Sequence, residues 1–261
     1  MKEHASIPSY KRHRFPPEII AHAVWLYFRF ALSYRDVEEL LAERGVVLTY
    51  ETIRQLCRTF GQGYASALRR HRPRAGDEWH LDEVFITING VPQYLWRAVD
   101  RDGTVLEILV QPRRDKRAAM KFLRKLLKRL TYVPRVLITD KLASYGAAKR
   151  EVLPSVEHRQ HKRLNNRAEN SHQPTQERER RMRRFKSPGH AQRFLAAYDP
   201  IAAHFRPRRH RLTSRRLSRD QSRALRHLAG GHQHAGHGLT RGAPLLQRAF
   251  IRRPARRLDF T

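Results

Sequence analysis

The sequence has little cysteine, few acidic residues and no long apolar segment. Its 261 residues contain a single cysteine, Cys57, which excludes an internal disulfide framework and a cysteine-based metal cluster. The apolar runs are too short and too interrupted to span a bilayer, and the N-terminal segment lacks the apolar core of a signal peptide. These absences predict a soluble, cytoplasmic protein with no membrane contact.

The shortage of acidic side chains leaves a large positive charge. Asp and Glu number 24 against 54 Lys and Arg, so the formal net charge is +30. An ordinary metabolic enzyme has no need of such a charge, whereas a protein that neutralises phosphates does. The excess is spread along the chain and is heaviest after residue 156. We therefore expect a nucleic-acid partner.

The first part of the chain, after a basic arm at 1–15, has the pattern of a helical domain at 16–70. Ser33 and Asp36 stand at capping-box spacing, and Thr49 is suited to cap the next helix. Two short helices joined by a tight turn fit a helix-turn-helix, although a plain three-helix bundle fits the spacing equally well. The net charge favours DNA binding, and the candidate contacts on the second helix are Tyr50, Arg54, Gln55 and Arg58.

Beyond a Pro/Gly/Arg linker at 71–78 the pattern changes to strands. The runs "WHLDEVFITING", "QYLWRAVDRDG" and "TVLEILVQPRR" are rich in β-branched and aromatic residues and are separated by Asn-Gly and Asp-Gly turns, which predicts an antiparallel meander. An amphipathic helix, the short strand "RVLITD" and further helices follow. The predicted fold class is α/β, a mixed sheet with helices behind an all-α helix-turn-helix domain.

Two aspartates occupy positions where a carboxylate needs a special reason. Asp82 lies inside an apolar strand, where a buried carboxylate is costly unless it is paired or binds a metal. Asp140 ends "RVLITD", and ligand-binding groups favour the ends of strands in α/β sheets, although capping of the next helix explains Asp140 equally well. If the two strands are neighbours, both aspartates converge on one edge. Glu83 is expected to point to the opposite face and not to act with Asp82.

Carboxylates that converge repel one another, and a divalent cation removes that cost. Oxygen ligands suit Mg²⁺ or Mn²⁺, and two such ions about 3.5 to 4 Å apart form a clamp for displacement at phosphorus. Glu169, in the segment "LNNRAENSHQ", is the natural third acid, on a helix that can lie across the sheet edge. The basic run that follows is expected to face DNA through Arg178, Arg180, Arg184 and Lys186.

These motifs together resemble the DDE transposases of bacterial insertion sequences, specifically the IS-six family. The resemblance covers about residues 12 to 213 and includes "WHLDEVFITINGVPQYLWRAVDRDG", "VPRVLITDKLASYG" and "NNRAENSH" in the same order. It implies an RNase H-like catalytic domain at 79–210, with Asp82, Asp140 and Glu169 as the metal-binding triad. It also implies that the N-terminal domain recognises terminal inverted repeats. The implied reaction is 3′-end cleavage and strand transfer that yields cointegrates, by a nucleoid-associated homo-oligomer of at least two copies.

The chain departs from the family pattern in two places. Superfamily members usually carry Lys or Arg seven residues after the glutamate, where this chain has Gln176. Residues 211–261 form an atypical Arg-rich tail, as a change of reading frame in GC-rich DNA would produce, and we expect it to be disordered. The alternatives that stay open are a non-catalytic helix-turn-helix DNA-binding protein, a metal-dependent nuclease, and an inactive transposase remnant.

Overall fold

The computed structural model describes residues 9–72, 74–160 and 165–204, so the tail predicted at 211–261 lies outside the described residues. None of the helices in these ranges is long and apolar enough to cross a membrane. The elements are α1 (Pro17–Arg29), α2 (Tyr34–Ala42), α3 (Tyr50–Arg70), β1 (Glu78–Ile88), β2 (Val91–Asp100), β3 (Val105–Gln111), α4 (Lys116–Leu130), β4 (Val136–Thr139), α5 (Ala143–Val152), β5 (Glu157–Gln160), α6 (Asn166–Arg181) and α7 (Pro188–His204).

The N-terminal helices begin where their capping residues predict. Ser33 and Asp36 form a reciprocal capping box at the start of α2, and the Thr49 side chain accepts from the Thr52 backbone N–H at the start of α3. Helix α3 continues to Arg70 and includes Gly61, although glycine is a poor helix former. The reason is packing, because a Cβ at Gly61 would lie 3.0 Å from the Phe28 ring, so glycine here permits a close approach of α1 and α3.

The sheet has the strand order β3-β2-β1-β4-β5. Strands β1, β2 and β3 form the predicted antiparallel meander, and β4 and β5 add to it in parallel. The turn between β1 and β2 has Asn89 and Gly90 at φ 51° and 77°, the left-handed conformation that an Asn-Gly hairpin turn requires. Strand β5 was not predicted, because its four residues are polar and carry no apolar pattern. This order and direction of strands define an RNase H-like fold.

Each face of the sheet has its own core. Trp79 and Leu81 of β1 pack with α4 and α5 on one face. Ile86 and Ile88 pack on the other face, in a core shared with α1, α3 and α7. The N-terminal helices therefore pack against the sheet and against α7, and the linker is not their only connection to the rest of the chain.

Candidate active site

An acidic cluster lies where the pairing of β1 with β4 stops. The last paired residues are His80 and Ile138, so Asp82 extends past the end of the short strand β4. Asp140 follows β4 directly. One carboxylate oxygen from each of Asp82, Glu83 and Asp140 lies within 4.8 Å of the others. The prediction that Asp82 and Asp140 converge is therefore confirmed.

Glu83 lies in the same cluster as Asp82, although opposite faces of β1 were expected to keep the two acids apart. The two side chains do leave β1 on opposite faces, since Asp82 lies beside His172 of α6 and Glu83 interacts with Tyr145 of α5. Because β4 ends at Thr139, both carboxylates can reach around its end towards Asp140. The side chain of Glu83 is only 3% exposed, so this acid is a buried member of the cluster.

Burial and mutual repulsion hold two of these acids close to neutrality. Burial, and then the charge of Asp140, raise the pKa of Asp82 to about 7, although the Glu83 backbone N–H and Arg97 oppose this. The pKa of Glu83 also rises to about 7, chiefly through burial and with a contribution from the neighbouring aspartates. These carboxylates cannot all carry a charge unless a cation compensates them. Such a set of oxygen donors fits a hard divalent cation.

Asp140 has a second role in the local backbone. Its Oδ1 accepts a hydrogen bond of 3.0 Å from the Leu142 backbone N–H, at the entry to α5. The hydroxyl of Thr139 donates to the Asp140 carbonyl oxygen and lies 2.9 Å from His158 Nε2. The turn at the end of β4 is thus held from both sides. The alternative that Asp140 caps the next helix was wrong, because the N-cap of α5 is Leu142 and no side chain caps this helix.

Helix α6 carries Glu169 over β1 but leaves it outside the cluster. Glu169 is exposed in the first turn of the helix. Three residues later His172 is buried, with Nε2 at 3.3 Å from Asp82 Oδ2, and burial lowers the pKa of this imidazole well below its usual range. The Asn165 side chain donates to the Leu81 carbonyl oxygen at 2.8 Å. Residues three apart are neighbours on a helix surface, so Glu169 borders the face of α6 that packs over Asp82, while its own side chain is exposed.

A buried arginine, which the sequence analysis did not single out, attaches α6 to the sheet. Arg97 of β2 is opposite Asp82 in the β1–β2 register and is 1% exposed. It donates to the Ser171 carbonyl oxygen and, at 2.6 Å, to Thr175 Oγ1, and it lies 3.3 Å from Asp199 Oδ2 of α7. Arginine inside the apolar run "YLWRAVD" is the signal that could have identified it, because a buried cation needs partners.

Most of the predicted DNA contacts lie on the surface. On α3, Tyr50, Arg54, Gln55 and Arg58 are all exposed, and Glu51 accepts from both Arg54 and Gln55. Beyond the site, Arg180, Arg184 and Lys186 are exposed as well, as is Gln176. Exposure makes these side chains available to a ligand without showing that they bind one.

Arg178 is the exception, and the expectation that it faces DNA was wrong. Its side chain is 2% exposed and donates to the carbonyl oxygens of Phe30 and Leu32, at 3.2 and 2.7 Å. The guanidinium also lies over the Tyr27 ring, 4.4 Å from its centroid. These carbonyls follow the end of α1, where no helical partner is available, so Arg178 joins α6 to the N-terminal helices.

A mixed sheet of this order, with one carboxylate within the central strand β1 and another directly after the neighbouring strand β4, places the chain in the RNase H-like class. The family model described as a DDE domain, that of IS240-type transposases, matches residues 76–208. A Staphylococcus aureus transposase for the insertion sequence-like element IS431mec is 32% identical over 168 residues, 62% of this chain and 75% of the relative. The S. aureus transposase for IS257 in transposon Tn4003 matches to the same extent.

The chain belongs to the IS-six family of DDE transposases, and it is an enzyme of DNA transposition. Membership of this family excludes one of the alternatives left open by the sequence, the non-catalytic helix-turn-helix DNA-binding protein. Among solved structures, a chain of the simian T-cell lymphotropic virus intasome in complex with the PP2A regulatory subunit B56 gamma is 15% identical with a TM-score of 0.33. That match covers 73% of this chain and 62% of the other, and we draw no residue assignment from it.

Proposed function

We propose that this chain binds the terminal inverted repeats of an insertion sequence and catalyses 3′-end cleavage and strand transfer that lead to cointegrates. The observation that carries the proposal is the convergence of Asp82 and Asp140 at the end of β4, in a chain of the DDE transposase family. The partners are element-end DNA, target DNA and at least one further copy of the chain, because two ends have to be joined in one reaction.

Asp82, Asp140 and Glu169 are the residues that would hold Mg²⁺ or Mn²⁺, in our proposal two ions. Bound divalent cations stabilise the attacking and leaving oxygens of a displacement at phosphorus. The protein's own contribution is to gather the carboxylates and fix their backbone. The Leu142 N–H orients Asp140, and the Glu83 N–H bonds Asp82. No covalent enzyme intermediate is needed, since positioning and charge neutralisation supply the catalysis.

Two residues, Glu169 and Glu83, are candidates for the third acid of the site. Glu169 matches the family motif but is exposed on α6, whereas Glu83 is already within the cluster. We assign the catalytic role to Glu169, because helix α6 is placed over Asp82 by His172 and Asn165. Glu83 then serves as a buried neighbour that adjusts the charge of the cluster.

The test is a strand-transfer assay with element-end DNA and a target plasmid. Asp82→Asn, Asp140→Asn and Glu169→Gln should each abolish joining while DNA binding is retained, and Glu83→Gln should keep measurable joining. Loss in Glu83→Gln combined with activity in Glu169→Gln would move the assignment to Glu83. Ends that are cut but never joined would indicate a nuclease, and a wild-type chain that neither cuts nor joins would indicate an inactive remnant.

A further inference from the structure

A groove of about 950 Å³ separates the N-terminal helices from the end of α6 and the start of α7. We call it the basic groove, after the cations on its two walls. One wall belongs to α2 and α3 and supplies Arg35, Arg54 and Arg58. The other belongs to the α6 end, the following turn and α7, and supplies Arg181, Arg183, Lys186 and Arg193. All these side chains are exposed.

The basic groove has cations on both walls and no acid in its lining. None of the described residues that line it is Asp or Glu. One groove cation, Arg54, is paired at 2.6 Å with Glu51, which lies outside the lining. Elsewhere, Glu107 binds Lys125 at 3.0 Å and Arg129 at 2.7 Å. Positive charges that face one another across a groove repel, so an arrangement of this kind destabilises the empty protein and favours a polyanion.

The floor of the groove strengthens this field. Tyr27, Phe28 and Phe194 line it and are almost fully buried, so an apolar, poorly polarisable layer lies beneath the cations. A charged cleft with low-dielectric walls concentrates the electric field towards its opening. Because these rings are covered, they offer no surface on which a base could stack, and the cations offer contacts to phosphates.

The backbone at the end of α6 holds two L residues in the left-handed conformation. Arg183 and Arg184 have φ of 55° and 70°, where glycine is the usual choice. Two backbone hydrogen bonds close the turn. The Arg183 N–H donates to the Arg180 carbonyl oxygen, and the Arg184 N–H donates to the Glu179 carbonyl oxygen. An arginine with this backbone conformation lowers the stability of the fold, and the side chain of Arg183 lines the basic groove. Such a loss of stability is expected where the side chain binds a ligand.

The two walls are also held at a fixed separation. Arg178 joins α6 to the carbonyl oxygens of Phe30 and Leu32, directly beside the groove. On the far side of the turn, Asn89 Nδ2 donates to the Lys186 carbonyl oxygen at 2.8 Å. The cations therefore stand on a preorganised frame, which lowers the ordering cost of binding an extended ligand.

We propose that the basic groove binds the sugar–phosphate backbone of duplex DNA, so that one DNA segment contacts α3 and the α6–α7 turn together. The inference rests on the proposed function and adds the path of the DNA between the N-terminal helices and the helix that carries Glu169. Two facing rows of cations exceed what a single small anion can neutralise, and repeated phosphates match both rows.

The test uses the full-length chain and a labelled mixed-sequence duplex, because contacts to the backbone do not depend on sequence. The groove variant combines Arg183→Gly with Arg193→Gln. Glycine suits the left-handed backbone at Arg183, so the thermal midpoint should not fall and lost binding cannot be attributed to unfolding. The matched control, Lys121→Gln with Arg124→Gln, removes two exposed cations from α4, on the other face of the sheet.

The expected result is a selective loss in the groove variant. Each phosphate contact contributes about 0.9 to the slope of log affinity against log salt, so the slope should fall by about 2 and affinity at ~0.1 M salt by roughly 50-fold. The control should stay within about threefold of wild type. A groove variant that binds like the control overturns the inference, even if the wild type joins strands. A wild type that binds through the groove but never joins strands refutes the proposed function and leaves this inference intact.

Discussion

Replacing Asp82 with asparagine should stabilise the metal-free protein while it destroys activity. The carboxyl has an ordinary pKa of 3.8 and a pKa of about 7 in the folded chain. At 1.36 kcal/mol for each pKa unit, ionising it at pH 8 opposes folding by about 4 kcal/mol. Asparagine has the same shape, never ionises, and keeps an oxygen for the Glu83 N–H. Water at the sheet edge reduces the effect, so we expect Asp82→Asn to gain about 2 to 4 kcal/mol.

The pH dependence follows from the direction of this pKa change. Between about pH 4 and pH 7 the folded state retains the Asp82 proton that the unfolded state releases, so the stability of the wild type falls as pH rises through this window. At pH 5 the opposing free energy is only about 1.6 kcal/mol, from the same 1.36 kcal/mol per pKa unit. The advantage of Asp82→Asn over wild type should therefore grow by about 2 kcal/mol between pH 5 and pH 8.

Urea unfolding followed by circular dichroism, with EDTA at both pH values, measures this difference. Asp102→Asn is the matched control, because Asp102 is exposed in the turn after β2. Adding Mn²⁺ at pH 8 should raise the stability of the wild type and leave Asp82→Asn unchanged, since ligands that bind only the folded state stabilise it. An Asp82→Asn chain that is less stable than wild type at pH 8 would refute the claim that this carboxylate is held at a cost.

Three further predictions concern the scaffold. Arg97→Met should lower the free energy of unfolding by about 3 to 5 kcal/mol in urea titration, because it removes the cation beside buried Asp199, and Arg97→Lys should lose less. Burial raises the pKa of the Cys57 thiol, so iodoacetamide should label the chain only as it unfolds in denaturant, and rapid labelling without denaturant would contradict the buried position. Gly61→Ala should cost about 1 to 3 kcal/mol in thermal unfolding, since its methyl meets the Phe28 ring at 3.0 Å, and an unchanged midpoint would show that α1 can move away.

The features that could be predicted from sequence depend on local rules. The Ser33 capping box, the Thr49 cap and the Asn-Gly turn each follow from a few neighbouring residues, and all appear in the structure. Asp82 was identifiable because an acid within an apolar strand needs compensation. Asp140 was identifiable because it ends a strand. Their convergence needed one further assumption, that β1 and β4 are neighbours, which the parallel pairing confirms.

The features that escaped prediction depend on where other elements stop. Alternation along a strand correctly separates Asp82 from Glu83 but does not reveal that β4 ends at Thr139, which lets both carboxylates pass its end. Arg178 stands in a run of charged residues, and nothing in that run reveals that the carbonyls of Phe30 and Leu32 lie against it. Both the clustering of Glu83 with Asp82 and the burial of Arg178 depend on contacts between elements that are distant in sequence.

The two buried arginines connect the N-terminal helices with the acidic site. Arg97 of β2 binds α6 from the sheet, beside Asp82, and Arg178 of α6 binds the carbonyl oxygens that follow α1. Each arginine sits where leaving it unpaired would be costly, so α6 has little freedom to move relative to either side. Because Glu169 lies at the start of this helix, its position over β1 depends on contacts with the helical domain as well as with the sheet. Helix α6 is thus a rigid connection between the N-terminal helices and the acidic cluster, and the contacts of two buried arginines maintain it.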